Sequence, residues 1–186
     1  MQVIVIRHGE RNYAPCYERN FIGQGLELAP LTENGVKQAE EVAHSSLLEN
    51  AELIVSSPYT RCMHTAAIIS RITNIPLNVE VDLHEWIPDL TFQNKNGEGQ
   101  LHGKEFSECK GRWQEGEKRN WENIDMMEKR LLGVLNKYTE YNKIIIVTHG
   151  MLMHQIKPYG HIPYCYADEF VFDENFKFAG FHETLK

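Results

Sequence analysis

Two short apolar runs, Gln2 to Ile6 and Lys143 to Val147, are dominated by valine and isoleucine and lack polar alternation. Runs of this kind suit central strands of a parallel sheet covered on both faces. Both end in the same way. Arg7-His8-Gly9 follows the first, and Thr148-His149-Gly150 closes the second. Ligands of open α/β sheets bind outside the carboxyl ends of the strands, so two histidines far apart in sequence are expected to face one crevice. The glycine after each lets the backbone turn sharply and a ligand approach closely.

The rest of the chain reads as the helices and strands such a sheet needs. Leu53-Ile54-Val55 is a second buried strand and Leu77 to Val81 a third. Thr32-Glu33-Asn34 provides an N-cap and a first-turn acid for a helix running to about Leu48, with Val36, Ala39, Val42 and Ala43 inward. A second helix is expected from about Thr60 to Ile72, with Met63, Ala66, Ala67 and Ile69 inward. A third, from Ile124 to Tyr141, carries Met127, Leu131, Leu132, Val134, Leu135 and Tyr138 at helical spacing. Asp82 to Asp89 reads as a loop containing Glu85, Trp86 and Pro88. Residues 91–120 read as a loop and short helix inserted over one end of the sheet, a lid candidate. Glu169 to Asp173 and Phe176 to Phe181 read as an edge hairpin. Without repeats or linkers, the expectation is a single α/β domain over residues 1–186, a mostly parallel sheet between helices.

With 42% hydrophobic and 24% charged residues, the 186-residue chain has the proportions of an ordinary soluble globule. Its net charge of -7, with no basic stripe, argues against nucleic-acid binding. No basic leader precedes the first apolar run and no apolar stretch matches a bilayer, so neither export nor a membrane role is expected. The four cysteines, Cys16, Cys62, Cys109 and Cys165, are dispersed and form no C-x-x-C pair. Reduced thiols and a cytoplasmic location follow. His84-Glu85 does not open a zinc-protease motif, because Pro88 stands where H-E-x-x-H requires histidine. Gly23-x-Gly25 is an incomplete dinucleotide fingerprint and reads as a flexible loop.

A third strand end supplies Ser56-Ser57-Pro58-Tyr59-Thr60-Arg61, with Arg61 in the first turn of a helix. Positive charge there opposes the helix dipole and asks for an anionic partner. Arg7 and Arg61 with His8 and His149 make an anion site of a particular kind. Planar N–H forks match phosphoryl oxygens, and an imidazole nitrogen can act as nucleophile. Phosphoryl transfer also needs a proton donor for the leaving oxygen, and Glu85, after the third strand, is the candidate on the same edge, with Asp82, Asp89 and Glu10 as neighbours that compete for the role until the resemblance below favours Glu85. Arg11 and Arg19 read as solvated loop charges rather than a second anion site. His44, His64, His102, His154, His161 and His182 read as structural or solvated. Trp86, Trp113 and Trp121 are divided between core packing and lining the cleft, evenly so only for Trp86.

These residues resemble the histidine phosphatase superfamily, also called the phosphoglycerate mutase-like family. The resemblance rests on Arg7-His8-Gly9-Glu10, Pro30 to Ala39, Ser56-Ser57-Pro58 with Arg61 and Thr65-Ala66, Leu83 with Glu85, and Val147-Thr148-His149-Gly150, in the family's order. It implies a three-layer α/β/α fold and attack of His8 on phosphorus to give a phosphohistidine. Arg7, Arg61 and His149, with Gly150 beside them, would bind the phosphoryl oxygens. Glu85 would protonate the leaving oxygen and then deprotonate water. No metal and no cofactor are implied. His8 must present an unprotonated nitrogen, whereas His149 helps most as a cation. The chain is shorter than phosphoglycerate mutases, and Arg11 to Pro15 departs from the mutase-like pattern. Hydrolysis of a small phosphorylated substrate is therefore expected, with a mutase or a non-catalytic phosphate-binding module as alternatives. The physiological substrate and the oligomeric state are not legible.

Overall fold

In the computed structural model, which describes residues 1–93 and 98–181, β1 (Gln2–Arg7) and β4 (Lys143–Thr148) lie side by side and parallel, with Arg7 opposite Thr148. On the far side of β4 runs β2 (Leu53–Ser56), also parallel, and beyond it β3 (Leu77–Val79). The order β3-β2-β4-β1-β5 is completed by β5 (Ala167–Val171), antiparallel to β1. The last strand of the parallel set thus inserts between the first two. It brings the ends of β2, β4 and β1 together as immediate neighbours.

Alternate residues along these strands feed two separate cores, as a sheet covered on both faces requires. Val3, Val5, Leu53, Val55, Ile144 and Ile146 face α5 (Ile124–Lys137) and α6 (Gly150–Ile156). Ile4, Ile6, Ile54, Ile145 and Val147 face α3 (Thr60–Thr73) together with Ala43 and Leu48. Each fully buried aliphatic side chain contributes on the order of 1.5–3 kcal/mol. The three-layer α/β/α arrangement expected from the sequence is therefore the one observed.

Several elements differ from the sequence reading. The helix opened by Thr32, α2 (Glu33–Val42), stops early, because Ser45 turns its hydroxyl onto Leu47 N (3.3 Å) and starts a separate 3-10 turn over Ser46–Leu48. In α3 the buried face includes Arg61, Cys62, Thr65, Ala66, Ile68 and Ile69, while Ala67 is exposed. The inward stripe is widened by Arg61 and Thr65, whose polar atoms find partners at the strand ends. Helix α5 ends at Lys137 rather than Tyr141, and Leu132 faces outward. The third strand gives way to a 3-10 turn at Val81–Leu83. Of the expected terminal hairpin, only β5 is a strand. Phe170, Phe172, Phe176 and Phe178 cluster with ring centroids 5.0–5.4 Å apart, and burying those rings takes the place of a strand pairing over 176–181. The insertion contains α4 (Glu98–Glu108), anchored by buried Phe106 against Trp86 and Trp121. It follows a short α1 (Ala14–Tyr17) and a 3-10 turn at Gly23–Leu28, where a loop was expected. All four cysteines are free.

Two glycines hold the turn after β1 against the start of α2. A Cβ on Gly9 would stand 2.7 Å from the Gly35 carbonyl oxygen, and one on Gly35 only 2.3 Å from the Glu10 carbonyl oxygen. Backbone cannot yield as a flexible side chain can. Gly35→Ala is therefore expected to lower stability by about 1–3 kcal/mol despite alanine's better helix propensity. Gly133→Ala, in the open middle of α5 with nothing within 4 Å, should raise it by up to about 1 kcal/mol. Paired thermal melts check both signs, and a rise in melting temperature for Gly35→Ala would contradict the close approach.

Candidate functional site

The neighbouring strand ends are tied by their own backbones. His8 N donates to Thr148 O and Ser57 N to Val147 O, each at 3.0 Å. From this edge rise His8, Ser57 and His149, and the first turn of α3 lays Arg61 among them with 3% exposure. Arg61 Nε donates to His8 Nε2 and its Nη2 to His149 Nδ1, both at 3.1 Å. The third nitrogen, Nη1, makes an ion pair with Glu27 from the 3-10 turn at Gly23–Leu28. The two imidazole centroids lie 5.3 Å apart.

A guanidinium only donates, so each imidazole nitrogen it meets must accept. His8 Nδ1, 2.7 Å from the Gly9 carbonyl oxygen, therefore bears the proton, and Nε2 carries the lone pair. His149 is likewise neutral, and its Nε2 donates to Ser57 Oγ at 2.8 Å. Burial, reinforced by the Arg61 charge, holds both rings well below the usual histidine range. The unprotonated nitrogen expected of His8 is present. The cationic His149 expected from its role is not, because Arg61 donates to the nitrogen that would have to bear the second proton.

Arg7, at the end of β1, donates from Nη1 to Ile162 O and lies 4.5 Å over the Tyr164 ring. Its buried Nε has no hydrogen-bond partner among the described residues. Gly150 begins α6 beside it, and a Cβ there would sit 3.9 Å from that Nε. Burial lowers the Arg7 pKa, with Tyr164 and Glu85 opposing. For Arg61 burial is the largest influence and acts downward, but Glu27, Cys62 and Glu85 together outweigh it and the net shift is upward.

Glu85 sits in the loop after β3 within electrostatic reach of Arg7 and Arg61. Its Oε1 accepts from Trp86 N at 2.9 Å. Desolvation raises its pKa, with Glu27 acting the same way and the Trp86 N–H and Arg61 opposing. Of the three competing carboxylates, Glu10 and Asp89 are engaged elsewhere. Glu10 accepts from Thr32 Oγ1 and Asn34 Nδ2 at the start of α2. Asp89 accepts from Thr91 and Gln93 in its own turn. Arg11 lies over Tyr13, and Arg19 donates to Pro15 O. Trp121 is core, Trp113 donates to its carbonyl, and Trp86 packs edge-on to Phe106. His182 lies outside the described residues.

Sequence reasoning missed Glu27, Ser57 and Tyr164 as site neighbours, and Glu122 and Arg130 behind the Glu85 loop. Only Arg130 left a signal in periodicity. It is a charge bordering the apolar stripe of Ile124, Met127, Leu131 and Val134, which are all fully buried.

The chain is similar to several proteins named as phosphatases. The uncharacterized phosphatase PhoE of Bacillus subtilis is 28% identical over 160 residues, covering 83% of this chain and 74% of the relative. The adenosylcobalamin/alpha-ribazole phosphatase of Escherichia coli is 25% identical over 157 residues, 80% of this chain and 73% of the relative. Among solved structures, a mycobacterial glucosyl-3-phosphoglycerate phosphatase superposes with a TM-score of 0.67 at 18% identity, covering 90% of this chain and 88% of that one. It shares the fold. A family model described as histidine phosphatase superfamily, branch 1, matches residues 3–160, and the chain belongs to that superfamily.

Proposed function

We propose that the protein hydrolyses phosphomonoesters through a phosphohistidine on His8 without a metal ion. The observation that carries this reading is the Arg61 fork. One buried guanidinium holds the His8 lone pair, the second imidazole and an acidic side chain within a single pocket. A pocket already holding the Glu27 carboxylate on that guanidinium is suited to anions, and a phosphoryl group matches its planar donors.

In the first step a phosphoryl oxygen takes over the Arg61 Nε hydrogen bond from His8 Nε2, and the freed lone pair attacks phosphorus as the bond to the ester oxygen breaks. That oxygen leaves with the Glu85 proton. In the second step water attacks phosphorus and gives its proton to the Glu85 carboxylate. The P–N bond breaks, releasing inorganic phosphate and neutral His8. Arg7 and Arg61 offset charge on the equatorial oxygens throughout. His149 acts as a neutral donor in this reading, its Nε2 proton turning from Ser57 Oγ to a phosphoryl oxygen. Glu27 must release Arg61 as the phosphoryl group enters. In this reading Trp86, next to Glu85 in the chain, meets the alcohol portion of a small substrate, and dispersed free thiols fit a cytoplasmic location.

His8→Ala is expected to abolish turnover of an aryl phosphate measured in the presence of chelator, together with the acid-labile phosphoenzyme trapped by rapid quench. Undiminished turnover would remove the nucleophile assignment, and phosphoryl exchange between phosphoglycerates dependent on a bisphosphorylated primer would indicate a mutase. Binding of phosphate without turnover of any phosphomonoester would leave a binding module.

Glu85→Gln should cost about 10²–10⁴ in kcat on alkyl phosphates and far less on aryl phosphates, whose leaving groups need little protonation. Because Glu85 is raised and donates only when protonated, wild-type kcat on alkyl phosphates should fall as pH rises through its pKa. Equal losses on both ester classes would show that Glu85 is not the donor.

Glu27→Gln removes the competing carboxylate from Arg61. Inorganic phosphate should then inhibit several-fold more tightly, and weaker inhibition would mean that Glu27 supports the anion instead of competing with it.

A further inference from the structure

Between the 3-10 turn at Val81–Leu83 and Asp89 the chain has no regular structure, yet it carries the side chain on which proton transfer depends. A single ion pair braces it. Arg130 on α5 donates through Nε and Nη2 to Glu122 Oε1 and Oε2, at 2.6 and 3.1 Å, and through Nη1 to Asp82 O at 2.5 Å. Glu122 Oε2 also accepts from Ile87 N at 3.1 Å. The Glu122 backbone donates to Ile87 O at 2.9 Å and accepts from Trp86 Nε1 at 2.6 Å. Both side chains are buried, with 9% and 3% exposure. From the sheet side, Thr148 Oγ1 donates to Leu83 O at 2.8 Å, tying the start of the same loop to the end of β4.

A buried ion pair is a poor way to gain stability, since well-packed apolar residues serve as well or better. This one contacts the loop at 82 and 87, with Trp86 bonded to the Glu122 backbone, and so brackets Glu85 on both sides. We propose that Glu122 and Arg130 are positioning residues for the proton-transfer step, a charge-balanced clamp that holds the Glu85 loop against the end of β4. The inference rests on Glu85 being the proton donor.

The balance of the clamp matters as much as its geometry. Glu85 is faced by Arg7 and Arg61 from β1 and α3, by Glu27 from the 3-10 turn at Gly23–Leu28, by Tyr59 at the start of α3, and by Arg130 from α5. His84 adjoins it in the loop. Arg130 acts to lower the Glu85 pKa, and Glu122, paired to it, offsets part of that charge. Removing either partner alone leaves the other charge uncompensated behind Glu85.

The test is the pH dependence of kcat on an alkyl phosphate for Glu122→Gln, Arg130→Gln and the double variant, with folding checked by circular dichroism. Glu122→Gln leaves a bare cation, so the descending limb should move to lower pH. Arg130→Gln leaves a bare carboxylate, so the limb should move to higher pH. The double variant restores neutrality and should return the limb toward its wild-type position. Each single variant should lose about 10–100-fold in kcat through misplacement of the donor, with KM nearly unchanged because the phosphoryl pocket is untouched. Should Arg130→Gln not fold, the downward shift in Glu122→Gln and its reversal in the double variant carry the test. A limb that stays fixed, or that moves in the same direction in both single variants, overturns the clamp. Glu85→Gln separates the two levels. If it keeps full activity on alkyl phosphates, the donor assignment itself fails, whereas a Glu85→Gln loss with fixed limbs removes only the clamp.

Discussion

Arg61 is a guanidinium at 3% exposure whose three nitrogens meet two imidazoles and a carboxylate. An arginine so placed cannot shed its charge, so everything around it must accept hydrogen bonds. That requirement sets the protonation of both histidines. It leaves His8 Nε2 with a lone pair and turns the proton of His149 toward Ser57. It also draws Glu27 to the pocket, since a buried cation without an opposite charge would be costly.

Arg61 reaches this position because of the sheet. The strand order places β4 between β1 and β2, so the histidine after β4 stands beside the one after β1, and the β2–α3 turn delivers Arg61 to both. Thr65, one turn further along α3, donates to the Arg61 carbonyl at 2.7 Å and accepts from Gly9 N at 3.0 Å. The start of α3 and the turn after β1 are thus locked together, and the close approach of Gly9 to Gly35 locks that turn to α2. Residues far apart in sequence become a rigid group because backbone, not flexible side chain, sets most of the spacing.

The two sides of the pocket are held differently. The phosphoryl side is built on strand ends and the first turn of a helix. The Glu85 side hangs from a loop without regular structure, braced by Glu122, Arg130 and Thr148. The difference suits their roles in the proposed reaction. Oxygens of a phosphoryl group always present the same geometry, whereas the alcohol portions of phosphomonoesters differ, and loops on a rigid scaffold accommodate such differences.

The sequence alone determined the α/β class, the buried strands and the approximate helices, because hydrophobic periodicity and capping act over a few residues. Arg7, His8, Arg61 and His149 stood out for a related reason: each lies at or just beyond a strand end, and parallel sheets collect such ends along one edge, whereas Glu85 was separated from Asp82 and Asp89 only by the family resemblance. The boundary of α2, the exposure of Ala67 and Leu132, and the fate of the Phe176 to Phe181 tail were decided by competition between local preference and packing. Glu27, Ser57 and Glu122 did not stand out as site neighbours, since a carboxylate or hydroxyl on a loop looks the same in sequence whether it is solvated or paired with a buried cation, and Arg130 showed only as a charge bordering the apolar stripe of α5. Only the tertiary structure decided which carboxylate meets Arg61, that His149 is neutral there, and which ion pair braces Glu85. Those outcomes depend on burial and on charges brought together across the chain, and neither is a property of any local stretch of residues.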